Sequence, residues 1–224
     1  EMGHRVTIAE AGSQLGGAFR LAGLQPRRAQ ILDLIAWYER QLMKLQVEVR
    51  LNTYLDASEI AAFGADEVIV ATGSLPPETG FQKALAHLEQ LPGIENGNVY
   101  SAEAVMAREA RPGKRVIFLD EGGNWKGAGT AWKLAEDGHQ VTIVTPAAMV
   151  GSELQRTAAD FPLRRRLAQL GVREKTVADQ FIERLGAEMA LGDPADRLDV
   201  AQAARARLHV RFEVVTRVMV AVVA

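Results

Sequence analysis

Cysteine is absent from the 224 residues, which removes disulfides, thiolate nucleophiles and every cysteine-ligated metal or iron–sulfur centre from the chain itself. Histidine is scarce. His4, His87, His139 and His209 stand far apart with no companion ligand at metal spacing, so no metal site is expected. An excess of one charge is lacking too: 26 Lys and Arg face 28 Asp and Glu, which gives no electrostatic reason to expect nucleic acid or an anionic membrane as partner. The one dense basic run, Arg164, Arg165 and Arg166, falls inside an amphipathic helical pattern and reads as a solvated face. No run of about 18 or more apolar residues occurs and the start has no signal-peptide pattern, from which a cytoplasmic location is expected. Ser13, Ser74, Ser101 and Ser152 lack a nucleophile elbow and a paired base, and no acid/base pair is recognisable, so no catalytic residue is expected here.

What is present is an alternation of strands and helices. Arg5 to Glu10 (RVTIAE) reads as a strand with an acidic end, preceded by Glu1-Met2-Gly3-His4, which has the form of a helix end with its glycine stop. A strand and most of a helix are therefore expected before this point. After a turn containing Gly12, Gly16 and Gly17, residues 27–45 place Ile31, Leu34, Ile35, Tyr38, Leu42 and Leu45 on one helical face. Val47 to Leu51 alternates as a half-buried strand, and Ala57 to Phe63 forms a short helix with Asp56 or Ser58 as cap. Glu67 to Ala71 (EVIVA), ended by Thr72-Gly73, has the composition of a strand buried on both faces of a parallel sheet.

Residues 76–112 are broken by Pro76, Pro77, Pro92, Gly93, Gly97 and Pro112 and read as a connector with one helical piece near Ser101 to Arg108. From 113 the pattern restarts: a strand Arg115 to Leu119, a glycine-containing loop, a helix ending at Asp137-Gly138, and a strand Gln140 to Val144. A helix follows through Leu163 to Leu170 with Gly171 as its stop. Thr176 to Leu185 and Val200 to Leu208 look helical, and Val210 to Val223 is strand-like. The expected class is α/β, with two Rossmann-like dinucleotide-binding units built on parallel sheets, the first lacking its opening strand and glycine turn. The expected divisions are 1–75, 76–112 and 113–224.

In such units a glycine turn and a helix N-terminus hold the pyrophosphate, and the second strand offers an acid to the ribose hydroxyls. Glu10 stands where that acid belongs, although a polar residue at a strand end would look the same. Two neighbours add to it: AGSQLGGAF at Ala11 to Phe19 and VIVATGSLP at Val68 to Pro76. Gly16 and Gly17 allow close backbone approach or a positive φ, and Thr72-Gly73 ends a strand at the carboxyl edge where ligands lie. The alternative is that these glycines serve turn geometry alone.

Glu10, the Leu-Gly-Gly turn and the Ala-Thr-Gly strand end, in this order, resemble the flavin-adenine-binding half of two-dinucleotide-domain flavoproteins. Within them the chain is similar, over residues 1–172, to the C-terminal region of the trimethylamine dehydrogenase, histamine dehydrogenase and 2,4-dienoyl-CoA reductase family. The YERQL helix, the ADEVIVATG strand and the GHQVTIV strand carry that likeness. The resemblance implies an FAD- or ADP-binding role for Glu10, Gly16, Gly17, Thr72 and Gly73. It also implies an upstream barrel with FMN and an iron–sulfur cluster, and a parent that is an oxidoreductase and is open to homo-oligomerisation.

The second glycine loop departs from GxGxxG. It reads Asp120-Glu121-Gly122-Gly123-Asn124-Trp125-Lys126-Gly127, with aspartate at the first glycine and tryptophan at the third. Negative charge then stands where a pyrophosphate should approach, opposing a helix-terminus attraction of up to ~1 kcal/mol. The strand ending Val144-Thr145 offers no ribose acid. The unit is read as a degenerate NAD(P) site, which resembles the branch of the family that passes electrons to a protein acceptor more than the NADPH-using reductases. Trp37, Trp125 and Trp132 are read as packing residues. Two other readings stay open: a non-catalytic interaction or scaffold module, and part of a stand-alone NAD(P)H:flavin reductase.

Overall fold

A computed structural model of the chain describes residues 3–73, 78–83, 87–176 and the strand pair 214–215. They divide into two compact units, the first comprising 3–73, 78 and 101–110, the second 79–83, 87–100, 111–176 and 214–215. The segment expected as a connector, 76–112, is thus shared between them.

The first unit holds a two-stranded parallel sheet, β1 (Thr7–Ala9) beside β2 (Glu48–Arg50), in the register Ile8 to Val49. Helix α1 (Gly17–Gly23) and α2 (Gln30–Lys44) join the strands. They pack through glycine. A Cβ added at Gly16 would stand 2.9 Å from Ile35 Cδ1, and one at Gly23 would stand 2.7 Å from Leu32 Cδ2. Arg20 locks the pair, donating from Nε to Leu15 O at 2.7 Å and from its guanidinium to Glu39 at 2.6 Å. Helix α3 (Ala57–Phe63) starts on a capping box, in which the Asp56 side chain accepts from Glu59 N while Glu59 accepts from Asp56 N. Of the two expected caps, Asp56 is the one used. The Ser58 hydroxyl, then the Glu59 backbone amide, hold the Asp56 carboxyl below its usual range. Helix α4 (Ala102–Met106) is capped by Ser101, whose Oγ accepts from Ala104 N at 2.8 Å.

One expected element is not formed. Residues 67–71 belong to no sheet, and Ile69 and Val70 are 79% and 68% exposed. An apolar β-branched run becomes a buried strand only beside another strand, and no described residue pairs with this one.

The second unit is a five-stranded parallel sheet in the order β3 (Val99–Tyr100), β7 (Val214–Val215), β4 (Arg115–Leu119), β5 (Gln140–Val144), β6 (Arg173–Lys175). The expected helices in 176–185 and 200–208 lie outside the described residues, as does 210–223 apart from β7. In-register Val116 with Val141 and Phe118 with Ile143 form the buried face. Helix α5 (Trp125–Glu136) packs on β4 and β5, and α6 (Asp160–Gln169) packs beside α5; Ala128, Ala131, Leu134, Leu163 and Leu167 are buried there. Small residues at 127–131 let α5 approach the strands closely. Trp132 is core and donates to Glu136, which also accepts from Arg166 at 2.9 Å. Arg166, then Trp132, hold the Glu136 carboxyl below its usual range. Among the described residues no helix is long and apolar enough to cross a membrane, and no group of His, Cys, Asp or Glu is arranged to hold a metal.

Candidate nucleotide-binding site

Glu10 follows β1 directly. Its backbone N donates to Arg50 O at 2.9 Å, so the ladder with β2 runs one residue past the strand and delivers the side chain to the carboxyl edge. There Oε1 accepts from Gly12 N at 2.6 Å. Oε2 is buried with no hydrogen-bond partner, and the residue as a whole has 0% exposure. Leaving a buried carboxylate oxygen unpartnered costs on the order of 1–3 kcal/mol, and polar atoms so placed call for an explanation. A hydroxyl donor would supply it. Gly12 covers the carboxylate so closely that an added Cβ would stand 3.1 Å from Oε1.

The other expected site residues behave differently. Gly16 (φ 106°) precedes the first turn of α1, and Gly17 (φ 42°) begins it. Both use backbone conformations that L side chains rarely adopt, and Gly16 serves the α1–α2 contact as well. Thr72 and Gly73 end the exposed segment after Val70, and Gly73 has φ 66°. They are not hydrogen-bonded into the sheet that carries Glu10. A small cleft of about 70 Å³ in this unit is lined by Thr7, Ala9, Arg50, Leu55, Ile60 and Phe63. Thr7 and Ala9 alternate with Ile8 and Glu10, so it opens on the sheet face opposite Glu10.

In the second unit the turn between β4 and α5 is closed from within. Asp120 extends the β4–β5 ladder, its N donating to Val144 O at 2.9 Å. Its Oδ1 accepts from Gly122 N at 3.1 Å and Gly123 N at 3.0 Å, while Oδ2 is buried without a partner. Burial pushes this carboxyl above its usual range, against the lowering effect of the two amides. Asn124 caps α5 by accepting from Lys126 N at 3.0 Å. Glu121 Oε2 accepts from Lys83 N at 2.7 Å. At the end of β5, Thr145 turns its hydroxyl to Ala147 N and carries no charge. The sequence marked the acidic turn as unusual, but spacing alone gave no sign that Asp120 takes the amide donors itself.

Parallel βαβ units with an acid or a glycine turn at the carboxyl edge define the class: the chain is an α/β protein with Rossmann-like units, a fold similar to that of flavoprotein oxidoreductases. No protein-family model matches it. It is 36% identical over 160 residues to N,N-dimethylglycine/sarcosine dehydrogenase of Chromohalobacter salexigens, covering 67% of this chain and 22% of the relative. It is 37% identical over 148 residues to a probable N-methylproline demethylase of Rhizobium meliloti, covering 65% and 20%. Among solved structures, 6-hydroxypseudooxynicotine amine oxidase from Pseudomonas geniculata N1 superposes with a TM-score of 0.69 at 29% identity, covering 78% of this chain and 26% of that one. Histamine dehydrogenase from Rhizobium sp. 4-9 gives 0.67 at 26% identity, covering 78% and 27%. The chain is a homologue of part of the flavoproteins in the family of dimethylglycine, dimethylamine and histamine dehydrogenases and their reductase relatives, and it spans about a fifth to a quarter of their length.

Proposed function

We propose that the chain is the adenine-nucleotide-binding portion, for FAD or ADP, of a longer flavin-dependent oxidoreductase resembling amine dehydrogenases. The FMN barrel, iron–sulfur cluster and substrate site lie elsewhere in that protein, which hands electrons to a protein acceptor, and the isolated chain is inactive. One observation carries this reading: the buried Glu10 carboxylate at the carboxyl edge of β1, with one oxygen bonded to Gly12 N and the other unpartnered. A ribose hydroxyl donating to Oε2 supplies the missing bond. Gly16 and Gly17, at positive φ on the turn that opens α1, are the further candidate contacts of this unit. The fit extends to the sugar only, because residues 3–9 contain no glycine-rich turn to cradle a pyrophosphate. FAD in such a protein supplies a redox carrier, whereas ADP supplies none; this chain's residues hold and orient the adenosine end in either case.

The enclosure of Glu10 beneath Gly12 favours a second reading, a scaffold that keeps the fold without a ligand. The two are separated by purifying the longer flavoprotein, denaturing it and analysing the released nucleotide by chromatography. Stoichiometric FAD or ADP besides FMN supports the binding role, and no adenine nucleotide supports the scaffold. Calorimetry of the isolated chain is expected to show no tight ADP binding, since the pyrophosphate cradle is lacking. Micromolar affinity would contradict this assignment of the binding determinants.

A further inference from the structure

A strand-turn-helix of the β4–α5 kind binds a diphosphate by offering the backbone N–H groups of its turn and the positive end of its helix to the anion. Here those donors already have an anionic acceptor. The Asp120 carboxylate takes Gly122 N and Gly123 N on one oxygen, and Asn124 takes Lys126 N. The carboxylate is also seated against the first turn of α5. A Cβ built on Gly127 would collide with Oδ1 and stand 2.7 Å from Cγ, so the absence of a side chain at 127 is what makes room for it. Asp120 is 3% exposed. It is part of the packed turn and cannot swing aside without breaking both amide bonds.

We propose that the Asp120 carboxylate is the built-in occupant of the anion cradle in the second unit, holding the turn's amides as a diphosphate would and so barring nicotinamide dinucleotides from this crevice. Two features make the exclusion complete. A dinucleotide would meet a negative charge on the approach side, and it would have to leave that charge buried without its donors. Exclusion by occupancy differs from exclusion by charge alone. An asparagine at this position is neutral but still offers an oxygen to the same two amides.

The test uses the 224-residue chain labelled with 15N and titrated with inorganic pyrophosphate and with NADH, reading the amide resonances of Gly122 and Gly123. Wild type and Asp120→Asn are expected to show no saturable shift at either amide. Asp120→Gly, which restores the glycine and frees the donors, is expected to bind pyrophosphate about a hundredfold more tightly than wild type, with both amides shifting. Should Asp120→Gly fail to fold, Asp120→Ser keeps a short polar side chain in the turn and is expected to show the same gain at lower strength. Shifts of both amides in the wild type would overturn the proposal, as would their absence in every folded glycine or serine variant. Binding by Asp120→Asn equal to that of Asp120→Gly would also overturn it, because repulsion rather than occupancy would then be the cause.

Discussion

Gly127→Ala is the substitution whose outcome depends most sharply on the seating of Asp120. In an ordinary helix interior the change stabilises by up to ~1 kcal/mol, because alanine loses less backbone freedom on folding. At this position the new methyl runs into the Asp120 carboxylate, which Gly122 N and Gly123 N hold in place. Either the core accommodates an overpacked group, at about 1–3 kcal/mol, or the carboxylate moves and gives up two hydrogen bonds to a charged acceptor, each worth roughly 1.5–3 kcal/mol. The net expectation is a loss of about 2 kcal/mol despite the better helix former. Urea unfolding followed by the fluorescence of Trp125 and Trp132 reads it, with Trp37→Phe as background so that the second unit alone reports. With a slope of about 1–3 kcal/mol/M, the midpoint should fall by roughly 1 M. In an Asp120→Ala background the collision is gone and Gly127→Ala should be neutral or stabilising, a coupling of about 2 kcal/mol. A Gly127→Ala protein as stable as its parent would show that the carboxylate is not held against the helix.

Asp120 also sets a pH dependence. Its carboxyl is raised above the ordinary 3.8 by burial, so between the unfolded and folded values the native state holds the extra proton. Its contribution to stability is therefore full below about 3.8 and is lost as pH rises through the folded value. The stability of wild type relative to Asp120→Asn, from thermal melts across acid to neutral pH, should improve as pH falls and level off below about 3.8; a pH-independent or reversed difference would refute the cause assigned. Ser101→Ala removes the buried cap of α4 and should cost about 1 kcal/mol. Amide exchange at Ala104 is the readout, and unchanged protection would mean the cap bond contributes nothing.

The β4–α5–β5 unit was legible because its signals agree. The alternation in RVIFL and QVTIV matches the buried positions Val116, Phe118, Val141 and Ile143, and Asp137-Gly138 ends α5, with Gly138 at φ 91°. Strand β6 (Arg173–Lys175) is short and charged, and it is held by backbone pairing to β5, which leaves little trace in hydropathy. Helix α1 begins on two glycines that propensity disfavours, and contact with α2 stabilises it instead. The run Glu67 to Ala71 misled for the opposite reason: composition records what a strand needs, not whether a neighbour is there to pair with it. Glu10 was read correctly as an acid at a strand end. Its bond to Gly12 N and its unpartnered Oε2 depend on the path of the loop after it, which no spacing rule encodes. Asp120 is parallel. Its charge was plain, but the two amides it occupies were not.

The role given to Glu10 is open to direct measurement in the longer flavoprotein. ADP affinity, or adenine nucleotide retained through purification, should be compared between the native protein and Glu10→Ala. Loss of a buried ribose bond to a carboxylate, worth about 1.5–3 kcal/mol, corresponds to roughly ten- to a hundredfold weaker binding. Nucleotide content that is the same in both proteins would take Glu10, and with it the ribose-binding edge of the first unit, out of the account.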